Sequence, residues 1–237
     1  MKTIPEWPEA QRLEKNLWDG VVLDEHYTLT VLTANAAKAI KLRNCVAQMP
    51  ETALEVGIGP FGLGLIAFLP EISRRFGIDP LPLVSLDLPA DSPKKSSAEL
   101  RQYMGRLRAP VGYIRAFGED MPVASDSMDL VLCCNALDHA SDPLAVLREI
   151  RRVLKPGGLF FFEVDTLSVL GLAKWHTYTK YKHKDEILVK AHPYRMYESD
   201  VARQLTSCGF QIRKVYGHTF ASNLIGHARD STFLGTK

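Results

Sequence analysis

The chain has 237 residues, of which 46% are apolar and 24% are charged. These shares lie near globular averages and exclude disordered and fibrous classes, and the length allows one α/β domain over residues 1–237 with a full hydrophobic core. The 29 basic and 27 acidic residues leave a net charge of +2. This balance gives no electrostatic reason to expect nucleic acid or a membrane surface as a partner.

The four cysteines form no C-x-x-C pair, and two of them are adjacent within an apolar run. We therefore expect neither a disulfide framework nor a metal site. The first 18 residues lack the apolar region of a signal peptide, and no stretch of about 18 consecutive apolar residues suggests a membrane span. The sequence thus predicts a cytoplasmic protein.

Residues 1–48 are predicted to form a helical extension, because apolar residues recur at helical spacing there. Leu13 and Leu17 belong to one such stripe, and Leu32 and Ala36 belong to a second. Pro50 ends this region, and from there onward short apolar strands alternate with helices.

This alternation predicts a doubly wound, mostly parallel, seven-stranded sheet of Rossmann-like type, with helices on both faces. The predicted strands are Thr52–Val56, Leu83–Leu86, Val111–Phe117, Met128–Cys134, Leu159–Val164, Phe210–Tyr216 and Ser231–Leu234. The predicted helices are Phe61–Leu69, Ser97–Leu107, one that Asp142 caps and Lys155–Gly158 ends, and Glu198–Ser207. In such a sheet, ligands bind outside the carboxyl ends of the strands.

The first strand runs into a glycine loop, Gly57-x-Gly59-x-x-Gly62, that opens a predicted helix. Glycines there permit a tight turn and a close approach of a ligand to the backbone, as in dinucleotide-binding proteins. However, Glu55 ends the strand just before the loop, and a carboxylate suits a ligand with an ammonium group. Asp87, after the predicted second strand, can accept hydrogen bonds from both hydroxyls of a ribose.

Three segments together, LEVGIGPFG, SMDLVLCCNALDH and VLKPGG, resemble class I S-adenosylmethionine-dependent methyltransferases of the small-molecule type. The resemblance extends from about Thr52 to Val164. It implies that Glu55, Gly57 and Gly59 hold the methionine part of S-adenosylmethionine and that Asp87 binds its ribose. The resemblance also places Asn135 near the methyl group. Relatives often carry an acid that contacts the adenine amino group at the position of Phe117, so in this chain the Phe117 ring is expected to pack against the adenine face instead, with Gly118 and Glu119 as hydrogen-bonding groups.

Two residues at neighbouring strand ends are candidates for a catalytic pair. His139 follows the fourth strand and Asp165 ends the fifth, so an imidazole base oriented by a carboxylate is one interpretation. The other is that His139 is structural, since a histidine at this place is frequent in the family without a catalytic role.

Residues 166–195 are too many for a simple connection and are predicted to form a lid over the substrate. Lysines interleave with aromatic residues there, which favours an acceptor carrying carboxylate or phosphate. The predicted function is methyl transfer to a small molecule, to oxygen before nitrogen. The alternatives are an NAD(P)-dependent oxidoreductase and a non-catalytic binding subunit with the same fold.

Overall fold

The computed structural model describes residues 7–21, 23–87, 96–168, 170–171, 194, 196–217 and 228–237. Within these ranges the strands are β1 (Thr52–Val56), β2 (Arg74–Asp79), β3 (Val111–Arg115), β4 (Met128–Cys134), β5 (Leu154–Leu167), β6 (Gln211–Tyr216) and β7 (Ala228–Thr236). The α-helices are α1 (Trp7–Val21), α2 (Glu25–Arg43), α3 (Ala98–Arg108), α4 (Pro143–Val153) and α5 (Glu198–Ser207). Short 3₁₀ turns occupy Leu65–Phe68 and Leu137–His139.

The strands form one sheet in the order β3-β2-β1-β4-β5-β7-β6. The first five strands of this order are parallel, and β7 runs antiparallel to both β5 and β6. The order reverses between β1 and β4, because β1 is followed outward by β2 on one side and β4 lies on the other. This confirms the predicted doubly wound fold and places its switch point, where such folds bind ligands, beside the glycine loop.

The second strand is not the one that the sequence predicts. The apolar run Leu83–Leu86 lies in a loop, and Leu83 is 38% exposed. Instead Arg74–Asp79 forms β2, and Ile78 pairs with Val56 of β1. The prediction is wrong because a run of apolar residues says nothing about backbone pairing, and β2 begins with two arginines that conceal it.

Other predicted boundaries are partly corrected. The helix predicted at Phe61–Leu69 is only the 3₁₀ turn Leu65–Phe68, since Gly62 has a φ of +63°, which a helix cannot contain. In contrast, Asp142 caps α4 as predicted and accepts hydrogen bonds from the backbone N–H groups of Leu144 and Ala145. The fifth strand is longer than predicted at both ends, because β4 and β7 extend its pairing.

Helix α2 of the helical extension packs on the sheet. Ala39 and Leu42 of α2 are buried in the core layer that contains Phe161 of β5. Lys38 of the same helix lies 2.8 Å from a carboxylate oxygen of Glu163, which ties α2 to β5. None of the helices in the described part of the chain combines the length and the apolar character needed to cross a bilayer.

Helix α1 lies over the glycine loop. Its Trp18 ring meets Phe61 edge to face at 5.6 Å between centroids, and it meets Tyr27 of α2 in the same way at 6.0 Å. The residues on which the predicted lid depends, within 166–195, fall largely outside the described residues. The two ends of that segment meet at the sheet, because Thr166 forms an isolated bridge with Met196.

Candidate active site

The glycine loop after β1 is a tight turn that tolerates no side chain at its first glycine. Gly57 has a φ of +77°, and a Cβ built on it would lie 2.2 Å from the Cβ of Ala136. Its N–H donates to the carbonyl of Ile78 at 2.8 Å, which anchors the turn to β2. Gly59 has a φ of +76°, so both residues occupy the left-handed region that favours glycine.

Asp79, the last residue of β2, is the carboxylate that faces this loop. It is 7% exposed and accepts hydrogen bonds from the N–H groups of Gly59 at 2.8 Å and Leu81 at 2.9 Å. Burial raises the pKa of the Asp79 carboxyl above its ordinary value, and these two hydrogen bonds partly offset the rise. Asp87, the predicted residue for this position, is exposed and is not among the residues that line the cleft described next.

A cleft opens at the carboxyl ends of β1 to β4, on the switch point of the sheet, where folds of this kind bind small molecules. The polar and aromatic residues that line it are Gln11, Glu14, Trp18, Asp79, Phe117, Glu119, Asn135 and His139. Its ionisable groups are thus acidic apart from histidine and a buried cysteine, which favours a ligand carrying positive charge.

The loop after β3 supplies a flat aromatic surface at one end of the cleft. Phe117 lines the cleft and is 52% exposed, so its ring is accessible to a ligand. At Gly118 a Cβ would lie 3.0 Å from Val56, so the backbone runs close to β1. One carboxylate oxygen of Glu119 accepts hydrogen bonds from both the N–H and the hydroxyl of Ser141 at 2.7 Å. Glu119 therefore also holds the loop that precedes α4.

Asn135 follows β4 directly and lines the cleft. It has a φ of +50°, an uncommon backbone conformation for a residue other than glycine, and its N–H donates to the carbonyl of Glu163 at 2.8 Å. Backbone strain of this kind is often found at functional sites, where the surrounding structure holds it.

Glu55 does not reach the cleft, contrary to the expected contact with a ligand. Its carboxylate accepts hydrogen bonds from the N–H groups of Leu65 at 3.0 Å and Ile66 at 2.8 Å, and the residue is 2% exposed. Gly64 packs against it, since a Cβ there would lie 2.3 Å from a carboxylate oxygen. Burial raises the pKa of Glu55 to about 7. The side chain thus caps the 3₁₀ turn on the far side of the loop.

His139 lines the cleft, but Asp165 is not beside it. In the described part of the chain, the carboxylates near its ring are Glu14, 3.6 Å from Nδ1, and Asp138, 3.6 Å from Nε2. Asp165 is exposed and lies opposite Asp230 in the β5–β7 ladder, outside the cleft lining. The predicted pair is not formed because β5 continues to Leu167, so Asp165 lies within the β5–β7 ladder and not at a strand end. Periodicity also cannot show that a helix far away in sequence supplies a carboxylate.

Helix α1 closes the cleft from above with three residues at helical spacing. The side-chain amide of Gln11 donates to the carbonyl of His139 at 2.7 Å, and Glu14 stands one turn later. Trp18 covers the loop and would lie 3.9 Å from a Cβ at Gly59. No site residue is predicted on this helix, although positions 11, 14 and 18 have the spacing that places three side chains on one helix face.

Comparison with known proteins bears on this arrangement. Residues 54–162 match the family model described as a methyltransferase domain. Residues 54–162 are thus similar to a methyltransferase domain. The resemblance to class I S-adenosylmethionine-dependent methyltransferases is thereby confirmed. The matched residues contain β2 to β4, the last three residues of β1, the glycine loop, Asp79 and His139, so the matched region includes most of the cleft.

Among relatives of the methyltransferase domain, the thiol S-methyltransferase TMT1B of Rattus norvegicus is 35% identical over 145 residues, which are 57% of this chain and 55% of that protein. The chain thus spans about half the length of this curated relative.

Two solved structures share the fold of the methyltransferase domain. The YcgJ protein of Bacillus subtilis has a TM-score of 0.59 at 16% identity, over 86% of this chain and 98% of that one. Phosphoethanolamine N-methyltransferase 2 of Haemonchus contortus, in complex with S-adenosyl-L-methionine, also has a TM-score of 0.59 at 16% identity, over 85% of this chain and 52% of that one.

Proposed function

We propose that the protein is an S-adenosylmethionine-dependent methyltransferase that acts on a small molecule. The observation that carries the proposal is the hydrogen bond from the N–H of Gly59 to the buried carboxylate of Asp79. It places an acid at the carboxyl end of β2 beside a glycine loop and at the wall of a cleft. Each carboxylate oxygen retains capacity for a second hydrogen bond, so the pair can accept both hydroxyls of a ribose.

The residues of the cleft fit this cofactor along its length. Asp79 would bind the ribose, the ring of Phe117 would pack against the adenine, and the backbone of Gly57 and Gly59 would lie along the methionine part. Asn135 stands at the end of β4, where the resemblance places the methyl group. The acidic lining suits a ligand that carries positive sulfur and ammonium groups. When bound, S-adenosylmethionine supplies a methyl group already activated for transfer.

The domain itself has two tasks beyond holding the cofactor, namely orienting the acceptor and, for some acceptors, removing its proton. His139 is the group proposed to accept a proton from an alcohol, phenol or thiol. Carboxylate oxygens of Glu14 and Asp138 lie 3.6 Å from its Nδ1 and its Nε2, respectively.

The acceptor atom is proposed as oxygen or sulfur, with nitrogen next. We propose oxygen because His139 is a candidate base for a hydroxyl group. We propose sulfur because the chain is 35% identical to a thiol S-methyltransferase over the aligned residues. An anionic acceptor depends on the lysines of residues 166–195 alone, because the described lining of the cleft contains neither lysine nor arginine. That acceptor class stays a prediction from the sequence.

Calorimetric titration with S-adenosylhomocysteine and with NAD tests the cofactor. We expect binding of the first only, since an antiparallel β7 lies between β5 and β6, unlike the six-stranded order of dinucleotide folds. Tight NAD binding without a response to S-adenosylhomocysteine would favour an oxidoreductase.

Methyl transfer is then measured on matched phenol, thiophenol and aniline acceptors. Turnover of the phenol or thiophenol supports the proposal. Cofactor binding with no turnover of any acceptor in a broad small-molecule screen would favour a non-catalytic binding subunit.

A further inference from the structure

The methionine part of the proposed cofactor carries an ammonium group. Glu55, the residue predicted to bind it, does not reach the cleft. Both carboxylate oxygens of Glu55 accept backbone hydrogen bonds from the 3₁₀ turn, and Gly64 closes off the side chain. Reaching the cleft would break two buried hydrogen bonds and leave two buried N–H groups without acceptors, which is costly. The ammonium group therefore needs a different carboxylate among the residues that line the cleft.

Two of the acidic residues in the cleft lining are already committed. Asp79 is held against Gly59 at the ribose position, and Glu119 accepts three hydrogen bonds through one oxygen from Ser141 and Asp142. Glu14 of α1 is the third.

Glu14 presents one carboxylate oxygen that has no donor in the described part of the chain. Its Oε1 accepts a hydrogen bond from the indole N–H of Trp18 at 2.8 Å. Its Oε2 is buried and accepts no hydrogen bond from any described residue, and the Nδ1 of His139 lies 3.6 Å away. A buried carboxylate oxygen without a donor is unfavourable, so a ligand, a water or a shift of the His139 ring must supply one.

The position of Glu14 matches the methionine end of the cleft. Trp18, one turn later on α1, covers Gly59 of the glycine loop, and His139 on the other side follows β4. Glu14 also lies close enough to Asp79 that its charge adds to burial in raising the pKa of Asp79. It therefore stands between the glycine loop, the ribose acid and the end of β4.

We propose that Glu14 binds the α-ammonium group of S-adenosylmethionine, in the role that the sequence assigns to Glu55. This inference rests on the proposed function. A charged carboxylate that accepts a hydrogen bond from an ammonium group forms one of the stronger contacts available to a protein. Helix α1, outside the matched methyltransferase domain, thereby becomes part of the cofactor site.

The test uses calorimetric titration of the full chain with two ligands. S-adenosylhomocysteine carries the ammonium group, whereas 5′-methylthioadenosine has the same nucleoside and sulfur without it. Glu14→Gln retains an oxygen for the indole of Trp18 and removes the charge. Asp19→Asn, on the same helix with a side chain 63% exposed, is the matched loss of one carboxylate outside the cleft.

We expect Glu14→Gln to weaken S-adenosylhomocysteine roughly 10- to 100-fold, the loss of one charge-assisted hydrogen bond. It should leave 5′-methylthioadenosine within about twofold, and Asp19→Asn should change neither. Unchanged binding of both ligands to Glu14→Gln, or equal weakening of both, would overturn the role of Glu14.

Wild-type protein that binds neither ligand would instead refute the proposed function, and the inference with it.

A second measurement does not depend on the folding of a variant. Wild-type protein should bind S-adenosylhomocysteine more than tenfold better than its analogue with the amino group replaced by hydrogen, and equal affinities would contradict the proposal.

Discussion

Asp79 accepts a hydrogen bond of 2.8 Å from the N–H of Gly59, and this contact joins the end of β2 to the loop after β1. The N–H of Leu81 donates to its second oxygen at 2.9 Å. One buried side chain thus holds the two loops that form the cleft wall, and the same carboxylate is the proposed ribose ligand. Its removal should affect both cofactor affinity and loop order.

Asp79→Ala should weaken S-adenosylhomocysteine binding by about 1–3 kcal/mol, the value of a hydrogen bond to a charged group. The matched control is Asp87→Ala, which removes an exposed carboxylate outside the cleft lining and should change affinity by less than about 0.5 kcal/mol. Calorimetric titration of both variants checks this. A larger loss of affinity for Asp87→Ala than for Asp79→Ala would indicate that Asp87 binds the ribose, as predicted from the sequence.

Glu55 should make the stability of the protein fall as pH rises from about 5 to 8. Its pKa is raised to about 7 in the folded chain, against an ordinary 4.5, because burial disfavours the charged form. The folded state therefore holds the proton more tightly, and this contribution is present in full below pH 4.5 and lost as pH rises through 7. The loss is on the order of 3 kcal/mol.

Denaturant unfolding at several pH values, for wild type and Glu55→Gln, measures this contribution. The variant has no proton to lose at this position, so the difference in stability between the two proteins should change with pH over the stated window. Parallel pH profiles for the two proteins would show that the buried carboxyl does not titrate there.

His139→Ala should lower kcat on a phenol or thiol acceptor by about 10²–10⁴, the usual contribution of a general base. Affinity for S-adenosylhomocysteine should hardly change. Asp165→Asn is the control, and we expect near-wild-type kcat because this residue lies opposite Asp230 outside the cleft lining. Steady-state kinetics measure both variants. An undiminished kcat of His139→Ala on an oxygen or sulfur acceptor that the wild type methylates would show that the imidazole has a structural role.

Gly57→Ala should destabilise the fold by about 2–5 kcal/mol. About 1–2 kcal/mol comes from an alanine at a φ of +77°, and the rest from the approach of its Cβ to that of Ala136. Adding Ala136→Gly removes the second cause and leaves the first. The double variant should therefore be more stable than Gly57→Ala alone, as measured by thermal unfolding, and strictly additive losses would exclude the contact between the two residues.

Asp79, the residue proposed to bind the ribose, shows what could and could not be predicted from the sequence. Strand existence follows from apolar runs, and β1, β4 and α5 have their predicted bounds. The run Leu83–Leu86 misleads because it is apolar without being paired, whereas β2 is fixed by its hydrogen bonds to β1 and β3. Spacing contained part of the missing signal: Asp79 follows Gly62, the last glycine of the loop, by 17 residues, which is closer to the usual separation of about 20 than the 25 residues of Asp87.

The partners of Glu55 and His139 could not be predicted from local pattern. Glu55 turns away because a glycine at position 64 leaves room for its carboxylate over the 3₁₀ turn. His139 meets Glu14 because Trp18 and Phe61 hold α1 over the loop, a contact between residues far apart in the chain. Both depend on tertiary packing, which one sequence does not reveal.

The place of β7 in the sheet sets an order of events during synthesis. Within the described residues, β6 pairs with β7 and with no other strand, and β7 fills the position between β5 and β6. A nascent chain that has emerged only through residue 217 therefore has an unpaired β6, and the edge of β5 is open to other extended chains. The sheet closes only after residues 228–236 leave the ribosome and bury Phe233 and Leu234. Until then the growing chain is prone to aggregate, although all the residues that line the cleft have already been synthesised.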